Sequence, residues 1–420
     1  MSEKIFHINA ERLQQRLKSL GEMGALDGGG VSRLALTDSD KKGRDLVVSW
    51  MKELGLAVSI DPIGNVVGTL KGKEDLPRIM MGSHIDTVST GGLYDGNLGV
   101  LAGLEVIETL IESGNTPTHP VSVGFFTNEE GSRFAPDMLG SAVYAQTLDL
   151  QTALKIEAID GPTVGDELRR IGYQGEARFP DIKKEIGAYF ELHIEQGPVL
   201  DEESIEIGVV EGVQGISWHE YTLSGVSNHA GTTPMKYRSD AGLVAAKINV
   251  FINELADQMS PDQHATVGAL TIEPNLINVI PNVAKFTVDL RNRDEQALQK
   301  AEAALAGFIE AQSEIHGVTV SKRRLARFEP VHFNSTLIDG IEHVAKARDL
   351  STNRMFSGAG HDAQMFAPHC PTTMIFVPSD KGISHNINEY TSPEQIANGA
   401  NVLLQIVSEL AYQKRSLPNV

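Results

Sequence analysis

Apolar residues recur at three- and four-residue spacing from Ala10 to Leu20 and from Asp40 to Leu54, where Gly55 interrupts the pattern. That period predicts two helices. Short apolar stretches at Ala57–Ile60 and Asn65–Leu70 flank a Pro-Ile-Gly turn and read as strands. Arg78–Met81 is a further short strand, running into Gly-Ser-His-Ile-Asp. Helical spacing returns over Leu98–Ile111 and stops at Gly114. Val121–Phe126 is the next strand and ends in Asn-Glu-Glu-Gly. Strands separated by helices predict an α/β fold with a largely parallel sheet.

The pattern changes near residue 212. Gln214–Ser224 reads as a strand, Asp240–Ala256 as a helix, Ala265–Ile272 and Val283–Asn292 as strands, Glu295–Ile315 as a helix and Val318–Leu325 as a strand. This β-α-β-β-α-β order is that of a split βαβ, ferredoxin-like α+β unit. After Phe328 the helix–strand alternation resumes, with Thr372–Val377 a buried strand and Pro393–Leu410 a C-terminal helix. The expected organisation is one discontinuous α/β domain, residues 1–211 and 329–420, interrupted by a smaller unit over 212–328.

Composition narrows the function. The chain has 420 residues, 41% hydrophobic and 22% charged, with a net charge of −19. Such acidity argues against nucleic acid or an anionic membrane as partner, since both demand a basic face. The single cysteine, Cys370, excludes an intramolecular disulfide framework and a cysteine-rich metal site. No apolar run has transmembrane length, and the charged segment Met1–Gln15 lacks a signal core, so the expected location is cytoplasmic.

The chemistry lies in where His, Asp and Glu fall. His84 and Asp86 follow one predicted strand and Glu129 and Glu130 follow another. Asp95 sits in the glycine-rich loop Gly91–Gly96, His193 in Tyr189–Glu195, and His385 in Gly382–Asn386. Open parallel sheets build their sites outside the carboxyl ends of their strands, so these distant positions can converge. Three imidazoles and three carboxylates suit two divalent cations sharing one carboxylate. Mixed nitrogen and oxygen ligands favour zinc, manganese or cobalt over calcium and magnesium. Adjacent residues of an extended segment point opposite ways, so one of Glu129 and Glu130 can bind metal while the other takes a proton. Singly, each position has an ordinary reading: a turn aspartate, a surface Glu-Glu pair, a solvated strand face at Glu191, His193 and Glu195. The inference rests on their occurring together.

The segments Gly82–Thr87, Gly91–Gly96, Asn128–Phe134, Glu191–Gly197 and Ser384–Asn386 resemble the hydantoinase/carbamoylase branch of the dinuclear, peptidase M20-like amidohydrolases. That branch includes N-carbamoyl-L-amino-acid hydrolases, β-ureidopropionases and allantoate amidohydrolases. The resemblance runs from about Glu11 to the C-terminal helix. It implies a mixed-sheet dimetal catalytic domain with an inserted lid and dimerisation domain, hence a homodimer. It implies two divalent ions per subunit, Zn2+ or Mn2+, with Co2+ or Ni2+ as alternatives. Asp95 would bridge them, His84 and His193 would complete one site, and Glu130 and His385 the other. Glu129 matches the general base, and Asp86 the acid that orients the ring of His84.

On the inserted unit, His229 in Ser227–Pro234 would polarise the substrate carbonyl. Asn278 and Arg291 would bind substrate, Arg291 by clamping a carboxylate. Gln196 and the amide of Gly360 complete the implied contacts. His361 receives no definite role. The implied reaction is hydrolysis of a ureido C–N bond in a small molecule that also carries a carboxylate. In Gly215–His219 the apolar residues and Trp218 resemble the carbamoylases, where allantoate amidohydrolases tend to carry arginine, and that resemblance implies an N-carbamoyl-L-amino acid. Residues 225–235, 357–364 and 382–386 resemble allantoate amidohydrolases, which makes allantoate the alternative, followed by β-ureidopropionase, aminoacylase or dipeptidase activity.

Overall fold

The computed structural model describes residues 6–259 and 261–413; residues 1–5 of the charged N-terminal segment lie outside them. The chain divides into two compact units, Met1–Gly212 with His332–Val420, and Val213–Val331.

The first unit contains strands β1 (Ala57–Ile60), β2 (Val66–Leu70), β3 (Arg78–His84), β4 (Val121–Phe126), β5 (Ile186–Ile194) and β6 (Ile207–Val213). The second contributes β7 (Gly215–Ser224), β8 (His264–Thr266), β9 (Leu270–Glu273), β10 (Val283–Asn292) and β11 (Thr319–Phe328). Strands β12 (Val331–His332), β13 (Thr352–Ser357) and β14 (Thr372–Val377) follow.

The large sheet has the order β1-β2-β4-β3-β5-β14-β6-β12, with β13 also on β6. It is mixed, as the resemblance implies, rather than largely parallel as strands separated by helices suggest. The pairs β4–β3, β3–β5 and β5–β14 are parallel, while β1–β2, β2–β4 and β14–β6 are antiparallel. Helix spacing reveals that crossovers exist but not the direction of the flanking strands. The parallel centre is covered on both faces, so β4 and β14 are buried at every position. The helix Asn97–Glu112 packs on β3 and is itself almost wholly buried. The C-terminal helix Pro393–Ala411 begins with a capping box between Ser392 and Gln395 and with proline at its first position.

The second unit is an antiparallel sheet, β11-β7-β10-β8, with β9 also on β10. Alternate residues of β7 and β10, among them Tyr221, Leu223, Ala284 and Phe286, pack against Val244 and Ile248 of helix Ala241–Met259 and Leu298 and Leu305 of helix Glu295–His316. The strand expected over Ala265–Ile272 is broken into β8 and β9. Between them the Thr287 hydroxyl accepts the Ala269 N–H at 3.0 Å, in place of a main-chain partner. Among the described residues no helix is long and apolar enough to cross a membrane.

Candidate metal centre

The carboxyl ends of β4, β3 and β5 lie side by side, and they deliver most of the site. His84 is the last residue of β3, paired with Phe126 of β4, rather than just past a strand. His193 lies one residue from the end of β5, opposite Phe376 of β14. The strand-face reading of Glu191, His193 and Glu195 as solvated fails, because all three are buried. Asp95 precedes the helix that starts at Asn97, and His385 lies in the loop after β14.

Two ligand groups share Asp95. In one, His84, Asp95 and His193 place ligand atoms within 4.8 Å of one another. In the other, Asp95, Glu130 and His385 do the same. His193 Nε2 is 3.2 Å and His84 Nε2 3.5 Å from Asp95 Oδ1. His385 Nε2 is 3.4 Å from Asp95 Oδ2 and 3.3 Å from Glu130 Oε2. The two oxygens of one carboxylate therefore face two separate groups. Glu129 Oε2 stands 3.4 Å from His84 Nε2. A further trio, Glu191, His193 and His361, also clusters. The His361 ring packs edge-on against His193 at 4.6 Å and its Nε2 meets Ser357 Oγ at 2.8 Å.

The donor set fits cations. His84 Nδ1 lies 2.9 Å from the Asp86 main-chain oxygen, and His193 Nδ1 lies 2.9 Å from that of Ile194. A carbonyl only accepts, so each Nδ1 donates to it and each Nε2 is the atom turned toward Asp95, that of His193 also lying 3.1 Å from the Gly96 amide. Burial opposes a charged ring at His84, yet Glu129, Asp95 and Asp86 outweigh it and raise its pKa well above the ordinary value. Burial likewise opposes charge on His193, but Asp95 and Glu191 raise it. Hydrogen bonding to Asp95 and Glu130 lifts His385 to about 10. Burial pushes up Glu129, with Asp362 and Glu130 adding to the rise. The pocket thus carries a surplus of negative charge that draws in positive charge, as a cation site does.

Asp86 acts otherwise than expected. Its main-chain oxygen, not its carboxylate, holds the ring of His84. The carboxylate faces the amides of Glu129 and Glu130, each at 3.3 Å, and so sets the turn that presents both acids. Gln196 Nε2 donates to Asp95 Oδ2 at 2.8 Å, while its Oε1 is buried without a hydrogen-bond partner among the described residues. Gly360 lies in the loop between β13 and the turn Ala363–Phe366, where a Cβ would come within 2.9 Å of Met138 Cε.

Within the second unit, the main chain bridges His229 to Val279, which sets His229 beside Asn278. His229 Nδ1 accepts the amides of Gly231 and Thr232 at 3.1 and 3.2 Å. The ring hydrogen therefore sits on Nε2, and the ring is exposed. Asn278 is exposed as well. Arg291 is held by Asp289, two residues along β10, at 2.8 Å, with its guanidinium 5.5 Å from the Trp218 ring centre.

Two anchoring residues escaped the sequence reading. Buried Glu191 accepts from Ser83 Oγ at 2.7 Å and from the Ala363 amide at 2.8 Å, tying β3 and β5 to the loop of Gly360 and His361. Buried Arg33 donates to the carbonyls of Ile85, Leu20 and Met23 and to Asn97 Oδ1, joining the segments that carry His84 and Asp95. The only signal for either was a charged residue inside an otherwise apolar stretch.

Residues 80–409 match the profile of peptidase family M20/M25/M40, and the chain belongs to that family. It is 41% identical over 405 residues to the N-carbamoyl-L-amino-acid amidohydrolase of Rhizobium meliloti, spanning 96% of this chain and 97% of that protein. It is 34% identical over 398 residues to the allantoate amidohydrolase of Bacillus subtilis, spanning 94% and 96%. A solved hydantoinase/carbamoylase family amidase from Burkholderia multivorans superposes with a TM-score of 0.93 at 42% identity, over 97% of this chain and 99% of that one.

Proposed function

We propose that the chain is a metal-dependent amidohydrolase that cleaves the ureido C–N bond of an N-carbamoyl-L-amino acid, releasing the amino acid, ammonia and carbon dioxide. The observation that carries this reading is the pair of ligand groups sharing Asp95, with Glu129 beside them, in a chain 41% identical along nearly its whole length to an N-carbamoyl-L-amino-acid amidohydrolase. His84, Asp95 and His193 would hold one divalent ion, and Asp95, Glu130 and His385 the other. Bound there, two such ions, zinc or manganese by ligand type, would supply Lewis acidity toward water and the substrate carbonyl.

Glu129 takes the proton of the attacking water and delivers it to the leaving nitrogen. Its buried position beside the ligand groups keeps that proton from bulk water. Asp86 keeps Glu129 and Glu130 in register through their amides. Gln196, fixed to Asp95 by its Nε2, offers its unpaired Oε1 to the carbamoyl N–H groups. The Gly360 amide is a further contact. The second unit is the lid and the dimerisation domain of a homodimer. Its His229 presents an Nε2–H for the developing oxyanion, because Nδ1 is occupied by two amides. Asn278 binds the substrate beside it. Arg291 receives the substrate carboxylate, with Asp289 and Trp218 fixing its plane.

The test is ammonia release by the Mn2+- or Zn2+-loaded protein from N-carbamoyl-L-amino acids, N-carbamoyl-β-alanine and allantoate in parallel. Ammonia from an N-carbamoyl-L-amino acid, absent with Glu129→Gln, supports the reading. Ammonia from allantoate alone moves the assignment to the alternative that the 34% identity to an allantoate amidohydrolase keeps open. No ammonia from any of them, with both metals bound, overturns it in favour of an aminoacylase or dipeptidase.

A further inference from the structure

We infer that Glu389 is a positioning residue that fastens the His385 loop to Asp95 and so assembles the more open of the two metal groups. The inference rests on the metal reading above. Glu389 is only 5% exposed. Its Oε1 accepts two consecutive amides, Tyr94 N at 3.0 Å and Asp95 N at 3.1 Å, and thereby fixes the main chain of the shared carboxylate. Its Oε2 is 3.2 Å from Ser384 Oγ, which adjoins His385 and lies 3.1 Å from Asp95 Oδ2. The Glu389 amide donates to the Asn386 carbonyl at 3.0 Å, closing the turn after His385.

His385 needs such a support. It sits in a loop, its side chain is 50% exposed, and its φ of 53° is in the left-handed region that a non-glycine residue enters at a cost. The glycine-rich loop before Asp95 makes room for the bracket. A Cβ on Gly92 would lie 2.2 Å from Glu389 Oε1, so only glycine admits the carboxyl group there.

The geometry also separates shape from charge. Ser384 has one hydroxyl hydrogen and faces two carboxylate oxygens. Glutamine at 389 would keep an acceptor for the two amides and give Ser384 a donor, freeing its hydrogen for Asp95. A bracket that works by shape therefore survives Glu389→Gln and fails in Glu389→Ala.

Equilibrium dialysis of the full-length protein against Mn2+ tests this, with bound metal as the readout. The wild type is expected to bind two equivalents. Glu389→Ala binds the second equivalent roughly 10–100-fold more weakly, the usual cost of losing a ligand's support, and weakens the first less, because His84 and His193 stay locked to main-chain oxygens. Glu389→Gln returns the second affinity to within a few-fold of wild type. Ser384→Ala, which spares both amide bonds, weakens the second site alone and serves should Glu389→Ala not fold. Unchanged second-site binding in both Glu389→Ala and Ser384→Ala overturns the bracket, as does Glu389→Gln binding as weakly as Glu389→Ala. Fewer than two equivalents in the wild type overturns the metal reading itself.

Discussion

His84 and His193 reach Asp95 from the ends of two central parallel strands, and both rings are buried and locked through Nδ1 to main-chain oxygens. His385 reaches the other oxygen of Asp95 from a loop, half exposed and on left-handed backbone. Glu130 is fixed through its amide by Asp86. One group of ligands is thus part of the sheet, and the other is assembled on it. Strand ends fix side chains through the ladder, whereas a loop holds its ligand only through specific polar anchors. The difference predicts unequal sites, with the sheet-borne one tighter and slower to exchange.

The largest effect is expected from Asp95→Ala. It removes a ligand from both groups, so ammonia release falls to background and metal analysis finds neither site filled. Glu129→Gln comes next and separates base from ligand. It lowers kcat by about 10²–10⁴-fold with bound metal unchanged; loss of metal would show that Glu129 belongs to a ligand group. Chelation then compares the two sites directly. Slow addition of a chelator should strip the metal in two phases, the His385 site first, and His385→Ala should abolish the fast phase while His193→Ala abolishes the slow one. A single phase would erase the distinction.

The smallest effect lies outside both groups and serves as the control for pH. His219 on β7 is pushed down from 6.5 to about 4, by burial and then by Lys322. The unfolded ring takes its proton near the ordinary value and the folded ring only near the lower one. Its contribution to stability is therefore present above pH 6.5 and is lost as pH falls toward 4. In chemical unfolding, His219→Gln should flatten that part of the pH dependence and leave metal content untouched. A change in bound metal would contradict its independence.

The candidate ligands that the structure brings together were legible because their types are scarce and their places regular: histidines and acids at or near the ends of apolar stretches or in glycine-rich loops. Element ends were legible for the same reason, as at Val121–Phe126 and Thr372–Val377, which the structure reproduces residue for residue. Strand direction was not legible in the periodicity, because period-two and period-3.6 patterns carry no sign, and only the resemblance implied a mixed sheet. The break between β8 and β9 is a bulge, residues 267–269 standing opposite 287 and 288 of β10, which the apolar period does not record. Asp86 was picked out for its carboxylate, but its carbonyl holds the histidine, and main-chain groups leave no trace in residue type. Arg33, Glu191 and Glu389 were missed because an anchor is defined by what it touches: Arg33 and Glu191 reach partners 10 to 172 positions away, and Glu389 reaches Tyr94 across 295.

Electron paramagnetic resonance of the metal-free protein titrated with Mn2+ tests most directly whether two unequal sites share Asp95. The account predicts that the first equivalent gives the spectrum of an isolated ion and that the second replaces it with a spin-coupled pair. In Asp95→Ala neither signal should develop. A second equivalent that merely doubles the isolated-ion spectrum would mean that no carboxylate joins the sites, and the account would be wrong at its centre.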